Sequence, residues 1–165
     1  MGTLKNNICS TILLLTIFIS LSACQWVAVY QGADYENADV VIVMDGYPNN
    51  GYIAAGMSWA LRTTELGIID WQYIFNETTY VIKAVANMGD DEAIVAGNHG
   101  TYNIRAVKLG PDGIMWQYRI HDDSAIGVTA IAKTGDHGAV IAGYNAGAVS
   151  AGGSPWVLKL DSDGI

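Results

Sequence analysis

Few side chains in this sequence are of a type and spacing that could do chemistry. Cys9 and Cys24 offer thiols, and His99, His121 and His137 offer metal ligation or proton transfer. Asp90-Asp91-Glu92, Asp122-Asp123 and Asp161-Ser162-Asp163 offer carboxylates to a hard cation. No two histidines share a ligand spacing, and each lies beside Gly, Asp or both, in a predicted solvated turn. None of the acid groups has acids at alternate positions with a distal Glu, and Asp is a common turn residue in any strand-rich chain. Ala148-Val149-Ser150-Ala151-Gly152 approaches a nucleophile elbow, but Ala148 stands where the first Gly belongs and no strand–turn–helix context surrounds it. Asn76-Glu77-Thr78 is a glycosylation acceptor only in a host that glycosylates exported proteins. No phosphate loop, dinucleotide fingerprint or zinc spacing occurs. The expectation is therefore no enzyme, with no catalytic, cofactor-binding or metal-binding residue. The one residue with chemistry to assign is Cys24.

Cys24 stands at the end of an export-type leader. Met1–Asn7 holds one base, Lys5, and no acid; an apolar run from Ile8 to Leu21 follows and closes on Leu21-Ser22-Ala23-Cys24. A short basic region, a short apolar core and small residues before a cut define a secretory signal. The core is short for a membrane span, which needs about 20 residues. Leu-Ser-Ala-Cys resembles the lipobox of bacterial lipoproteins, in which the cysteine sulfur takes diacylglycerol and a peptidase cuts before it. The resemblance implies a signal over residues 1–23, lipid attachment at Cys24 (palmitate or a like acyl chain) and a mature domain over 24–165. An ordinary cleaved signal that carries a cysteine by chance is the competing reading. Gln25, rather than Asp, after the cysteine implies the outer membrane where two membranes exist, and the cell membrane otherwise.

Composition bounds the partners. Taking residues 1–23 from 165 leaves 142, enough for one domain with its own core. With Lys5 gone, sixteen acids face seven bases, so no basic patch can neutralise phosphates and nucleic acid is excluded. Cys9 leaves with the signal and Cys24 is occupied, so no disulfide staples the domain. Short apolar runs rich in Val, Ile, Ala and Tyr, broken by Gly, Asp and Asn, predict strands and turns throughout.

These strands recur. Asn50-Gly51-Tyr52-Ile53-Ala54-Ala55-Gly56, Asp91-Glu92-Ala93-Ile94-Val95-Ala96-Gly97 and His137-Gly138-Ala139-Val140-Ile141-Ala142-Gly143 form one set. Trp59-Ala60-Leu61-Arg62, Arg105-Ala106-Val107-Lys108 and Trp156-Val157-Leu158-Lys159 form the second; Ile69-Asp70-Trp71-Gln72-Tyr73 and Ile114-Met115-Trp116-Gln117-Tyr118 the third. Val81–Ala86 and Val128–Lys133 form a fourth. The Ala-Gly glycines are 41 and 46 residues apart, and the bases at 62, 108 and 159 are 46 and 51 apart. The growing loop lies between the first and second sets and culminates in Tyr144–Pro155, which puts the variable loops on one face. Trp59, Trp71, Trp116 and Trp156 recur with the unit, so they belong to packing between units rather than to a single sugar-stacking site.

Four short strands in about 45 residues match a propeller blade. The units resemble a repeat family of bacterial secreted and lipid-anchored β-propellers, with Trp156-Val157-Leu158-Lys159-Leu160-Asp161-Ser162-Asp163-Gly164 close to its consensus. They are distantly similar to quinoprotein propellers. The resemblance spans Trp26 to Ile165. It implies an all-β fold of four-stranded antiparallel blades, about three units in an incomplete propeller. Gln25–Tyr30 matches the third set and could supply the strand that the last copy lacks. A fragment of a longer chain, self-association of two chains into six blades, and an open three-blade array all satisfy this pattern. The expected function is a non-catalytic, lipid-anchored cell-envelope module. Its partners are the membrane, through the lipid, and a protein or glycan. The alternative is a quinoprotein-like or other enzymatic propeller.

Overall fold

The computed structural model of the chain describes residues 13–18, 24–29, 38–44, 51–76, 79–122, 126–145 and 153–165, and all the regular structure among them is strand. The chain divides into two compact units, residues 1–37 and 38–165. In the first, β1 (Leu13–Phe18) pairs antiparallel with β2 (Cys24–Val29), Leu13 opposite Val29 and Phe18 opposite Cys24. Leu13–Phe18, from the apolar run of the expected leader, is thus a strand. Cleavage before Cys24 would remove β1 and take this neighbour from β2. Among the described residues no helix is long and apolar enough to cross a membrane.

The second unit contains three antiparallel sheets in an open array. The first is β3 (Ala38–Met44), β4 (Gly51–Gly56), β5 (Trp59–Thr64) and β6 (Ile69–Ile74). The second is β7 (Tyr80–Gly89), β8 (Glu92–His99), β9 (Asn103–Gly110) and β10 (Gly113–His121). The third is β11 (Ile126–Lys133), β12 (Ala139–Asn145) and β13 (Ser154–Leu160). Within each sheet, strands adjacent in sequence are adjacent in space. The sequence places Val81–Ala86 and Val128–Lys133 last in a unit; the structure places β7 and β11 first in the following sheet. The reason lies in the pairing. Tight turns join β7 to β8 and β9 to β10, and the antiparallel pairing of β7 with β8 and of β11 with β12 puts each of these first strands in the sheet that follows it in sequence.

Register confirms the equivalence of the repeats. Gly56 pairs with Trp59, Gly97 with Arg105 and Gly143 with Trp156, so each Ala-Gly glycine faces the first residue of the second motif. The first strand of every sheet also bulges at one equivalent point, opposite that glycine. The shifts fall between Ala38 and Val40, Ile82 and Ala84, and Val128 and Ala130, leaving Asp39, Lys83 and Thr129 as the extra residues. A bulge bends the strand and increases its twist. Here it carries the first strand's backbone over the glycine. A Cβ on Gly97 would overlap the Val81 carbonyl and sit 2.6 Å from the Ile82 Cα, and one on Gly143 would overlap the Gly127 carbonyl. Glycine is therefore obligatory at both positions, which explains why Ala-Gly recurs.

Alternation of side chains sends successive residues of each strand to opposite faces of its sheet, and facing sheets bury theirs against each other. Ile53, Ala55 and Ala60 of the first sheet pack against Val95, Val107 and Leu109 of the second, with Phe75, Tyr80 and Ile82 alongside. Phe75 meets Tyr80 edge-on, ring centroids 5.0 Å apart. Ala96, Ile104 and Ala106 of the second sheet pack against Ile141 and Leu160 of the third, with Trp116, Trp156 and Leu158 partly buried beside them. The Ile53, Ile82, Ile94 and Ile141 side chains are fully buried; each contributes about 2 kcal/mol by leaving water.

Candidate functional site

The sheets present two ends of different character. At one, tight turns carry the acids. The β7–β8 turn holds Asp90 and Asp91 at φ 49° and 66°, both left-handed as a type I′ hairpin turn requires. Asp91 receives the buried Arg62 of the preceding sheet at 2.6 Å, and Arg62 also contacts Asp70, the extra residue of the β6 bulge. Glu92 accepts the buried Lys108 at 2.8 Å, and Asp136 accepts Lys159 at 2.7 Å. The repeated base at 62, 108 and 159 thus finds a carboxylate in every sheet. Arg62 and Lys108 are buried and their carboxylates neutralise them, the arrangement in which burial of a charge is tolerated, whereas the Lys159–Asp136 pair is exposed.

Tryptophans latch the same end. The Trp71 indole donates to the Asp91 carbonyl at 2.8 Å, and the Trp116 indole to the Ser162 carbonyl at 2.8 Å, each crossing from one sheet to the next. Lys133 of β11 reaches back to the Met88 carbonyl of the second sheet. Gly164, at φ 83°, has the Trp116 ring against it, so glycine in the Asp163-Gly164 turn has a steric as well as a conformational reason. The Asp161 carboxylate accepts the Ile165 and Asp163 amides at 3.0 Å, and those bonds hold its pKa below the usual range. Hydrogen bonds from Lys159 and Thr134 hold Asp136 well below it too.

The other end is polar without being strongly charged. Backbone bonds stitch its connections together: Phe75 N to Ser58 O, Gly100 N to Thr79 O, Asp122 N to Tyr102 O and Ile126 N to Thr101 O. Side chains add to the stitching. Asn98 Oδ1 accepts the Val128 amide at 2.9 Å, the Asn145 amide donates to Asp122 at 3.3 Å, and His121 Nδ1 shares a 2.9 Å bond with Asn103 Oδ1. Tyr102 and Tyr144 stand out from this end, 49% and 46% exposed. Planar amides, imidazoles and exposed phenol rings can bond hydroxyls and stack on apolar ring faces. Side chains at the ends of strands and in the connections between them are where binding residues commonly lie.

The residues singled out from sequence disperse. His99 and His121 are the last residues of β8 and β10 rather than turn residues, while His137 lies in the β11–β12 turn at φ 58°. Among the described residues no three His, Cys, Asp or Glu converge on a point where a metal could sit. Residues 148–152 and Glu77-Thr78 lie outside the described residues. Cys24 is the first residue of β2. What the sequence reading missed is the set Asn98, Tyr102, Asn103 and Asn145; Asp122, read there as a possible cation ligand, accepts the Asn145 amide instead. The signal was available: positions following Ala-Gly read Met57-Ser58, Asn98-His99 and Tyr144-Asn145, the point where the repeat ceases to repeat. Comparison with family models and with curated proteins gives no match.

Proposed function

We propose that this chain is a lipid-anchored cell-envelope module of β-propeller type, which binds a protein or glycan partner at its polar loop end and catalyses nothing. One observation carries the reading. Recurring side chains pack the sheets together, while non-recurring Asn, His and Tyr side chains gather at one end, where the loops of variable length also emerge. Leu21-Ser22-Ala23-Cys24 supports the anchor, and two four-stranded and one three-stranded antiparallel meanders, packed face to face, support the blades. Several acyl chains on one cysteine would satisfy the two-signal requirement for stable attachment, so the lipid rather than the acid-rich domain would hold the chain to anionic headgroups.

The test is a binding screen of the full chain against an immobilised panel of bacterial-envelope oligosaccharides and against the matching envelope protein extract. Any binder found is then rechecked with Tyr102→Ala and Tyr144→Ala. At least a tenfold loss is expected from one of them, since an aromatic contact is worth about 1 kcal/mol or more beyond its area. Undiminished binding by both, together with undiminished binding when Tyr144–Pro155 is replaced by a short turn, would refute the assignment to this end.

A further inference from the structure

One rung of the second sheet departs from the repeat. Opposite the Ala-Gly glycine the first and third sheets carry Trp59 and Trp156, and the second carries Arg105. On the ladder to the outer strand Trp59 pairs with Ile74, whereas Arg105 pairs with Arg119. A rung that is apolar in the first sheet is thus doubly cationic in the second, in a chain of sixteen acids and eight bases. Side chains directly opposite on a ladder share a face, with Cβ atoms about 5 Å apart, and like charges so placed repel. The same face continues through His121, which lies opposite Asn103 and shares a 2.9 Å bond with it. The two arginines are held differently. Arg105 is 5% exposed; its guanidinium lies 5.3 Å from the Phe75 ring centre and 5.2 Å from that of Tyr80, and it donates to Gln117 Oε1 at 2.6 Å. Arg119 and His121 are exposed. A fixed cation therefore adjoins a reachable one.

We propose that the Arg105–Arg119 rung binds an oxyanion, a carboxylate or a phosphate, carried on a sugar of a glycan ligand. The proposal rests on the reading of this end of the sheets as a binding surface and names the chemistry bound there. A guanidinium offers five N–H donors in a planar fork that matches either group, so the pair can hold an anion in addition to its contacts within the chain. Two aromatic rings and Gln117 fix Arg105 in one geometry, which spares the cost of ordering it on binding. Asn103 and His121 offer amide and imidazole groups to sugar hydroxyls, and Tyr102, next in the chain to Asn103, is 49% exposed. A glycan fits better than an acidic protein segment. One rung answers one or two anionic groups, and the excess of acids elsewhere on the chain would repel a run of Asp and Glu. For the same reason the rung is no nucleic-acid surface, which needs many cations along a phosphate backbone. Packing of the repeat does not require the arginines, since Trp59 and Ile74 fill the equivalent rung of the first sheet.

Calorimetric titration of the full chain in non-ionic detergent tests this with four probes: a short oligomer of galacturonic acid, its uncharged methyl ester, a phosphorylated mannose oligosaccharide and a short oligoglutamate. The uronic acid or the sugar phosphate should bind at least about tenfold tighter than the ester, and that affinity should fall as salt rises. Which of the two binds tells carboxylate from phosphate. Arg119→Gln should lower the affinity for the acidic sugar by about tenfold or more, whereas Arg119→Lys, which keeps the charge but not the fork, should retain part of it. Arg119 is exposed, so neither substitution disturbs the packed core. Equal binding of acid and ester would overturn the anion site while leaving this end a sugar-binding surface. Tighter binding of oligoglutamate than of either acidic sugar, undiminished binding by Arg119→Gln, or no binding of any probe at about 1 mM would overturn it as well. The wider reading of the loop end is decided separately, by the tyrosine substitutions on whatever binder the screen yields.

Discussion

Gly97→Ala tests the repeated bulge by adding a single methyl group. The new Cβ would run into the Val81 carbonyl and lie 2.6 Å from the Ile82 Cα, both backbone, so no side-chain rotation relieves the overlap. The β7 backbone cannot retreat cheaply either, because Ile82 is fully buried among the first sheet's residues. Relief requires the β7–β8 pairing to open around the bulge. Losing one or two ladder hydrogen bonds costs about 1 kcal/mol each, and overpacking adds about 1–3 kcal/mol. The expected loss is about 3 kcal/mol, which for a unit of this size lowers the melting temperature by roughly 10 °C. Urea denaturation followed by tryptophan fluorescence measures it, with Trp59, Trp71, Trp116 and Trp156 reporting from all three sheets and the slope expected to stay unchanged. Gly135→Ala is the matched control. Nothing lies within 4 Å of a Cβ there, so stability should hold or rise by up to about 1 kcal/mol through the unfolded chain. A loss below about 0.5 kcal/mol at Gly97, or equal losses at both positions, would refute the bulge as the reason for the Ala-Gly motif.

Three further outcomes follow. Arg62→Ala removes a buried guanidinium held by Asp70 and Asp91 and should cost about 3 kcal/mol by chemical denaturation, whereas Arg62→Met, which keeps the packing, should cost clearly less. Trp116→Phe keeps most of the ring but deletes the indole donor to Ser162, at a cost of about 1–2 kcal/mol in the same assay. Acidification should also destabilise the fold. Asp136 and Asp161 have folded-state pKa values below their ordinary value of 3.8, so their contribution is intact above that pH and is lost as pH falls through and below it. A melting temperature that stays level from pH 5 to pH 2, or rises, would contradict both assignments.

Much of the frame is legible in the sequence because it recurs. The Ala-Gly glycines, the Trp or Arg that faces them and the base three residues later keep their order in all three copies, and the structure sets each glycine opposite its expected partner. The Asp-Gly turns are legible too, since Gly113 and Gly164 adopt the positive φ their positions demand. The sheet boundary was not. Periodicity alone does not say whether Val81–Ala86 closes one sheet or opens the next; its pairing with β8 decides it, and that pairing is not written in the pattern of one strand. The bulges were hidden for a related reason, since Lys83 and Thr129 are polar residues in apolar strands and read as solvent-facing positions in a regular ladder. At the acidic end, Asp91 and Glu92 look like cation ligands in sequence because their bases, Arg62 and Lys108, lie 29 and 16 residues away and meet them only after the sheets form. The variable loops pointed to one face in sequence, but the individual polar side chains there, Asn98, Tyr102, Asn103 and Asn145, escaped notice because none of them repeats.

The anchored, non-catalytic reading depends first on Cys24, and one measurement reaches it directly. Cells producing the full chain are labelled with radioactive palmitate, fractionated, and compared with cells producing Cys24→Ala. The account predicts label on the wild-type chain in the membrane fraction, with no label on the variant and its uncut form accumulating or its soluble form appearing outside the cytoplasm. Label on Cys24→Ala, or an unlabelled wild-type chain that is cut and released, would contradict it.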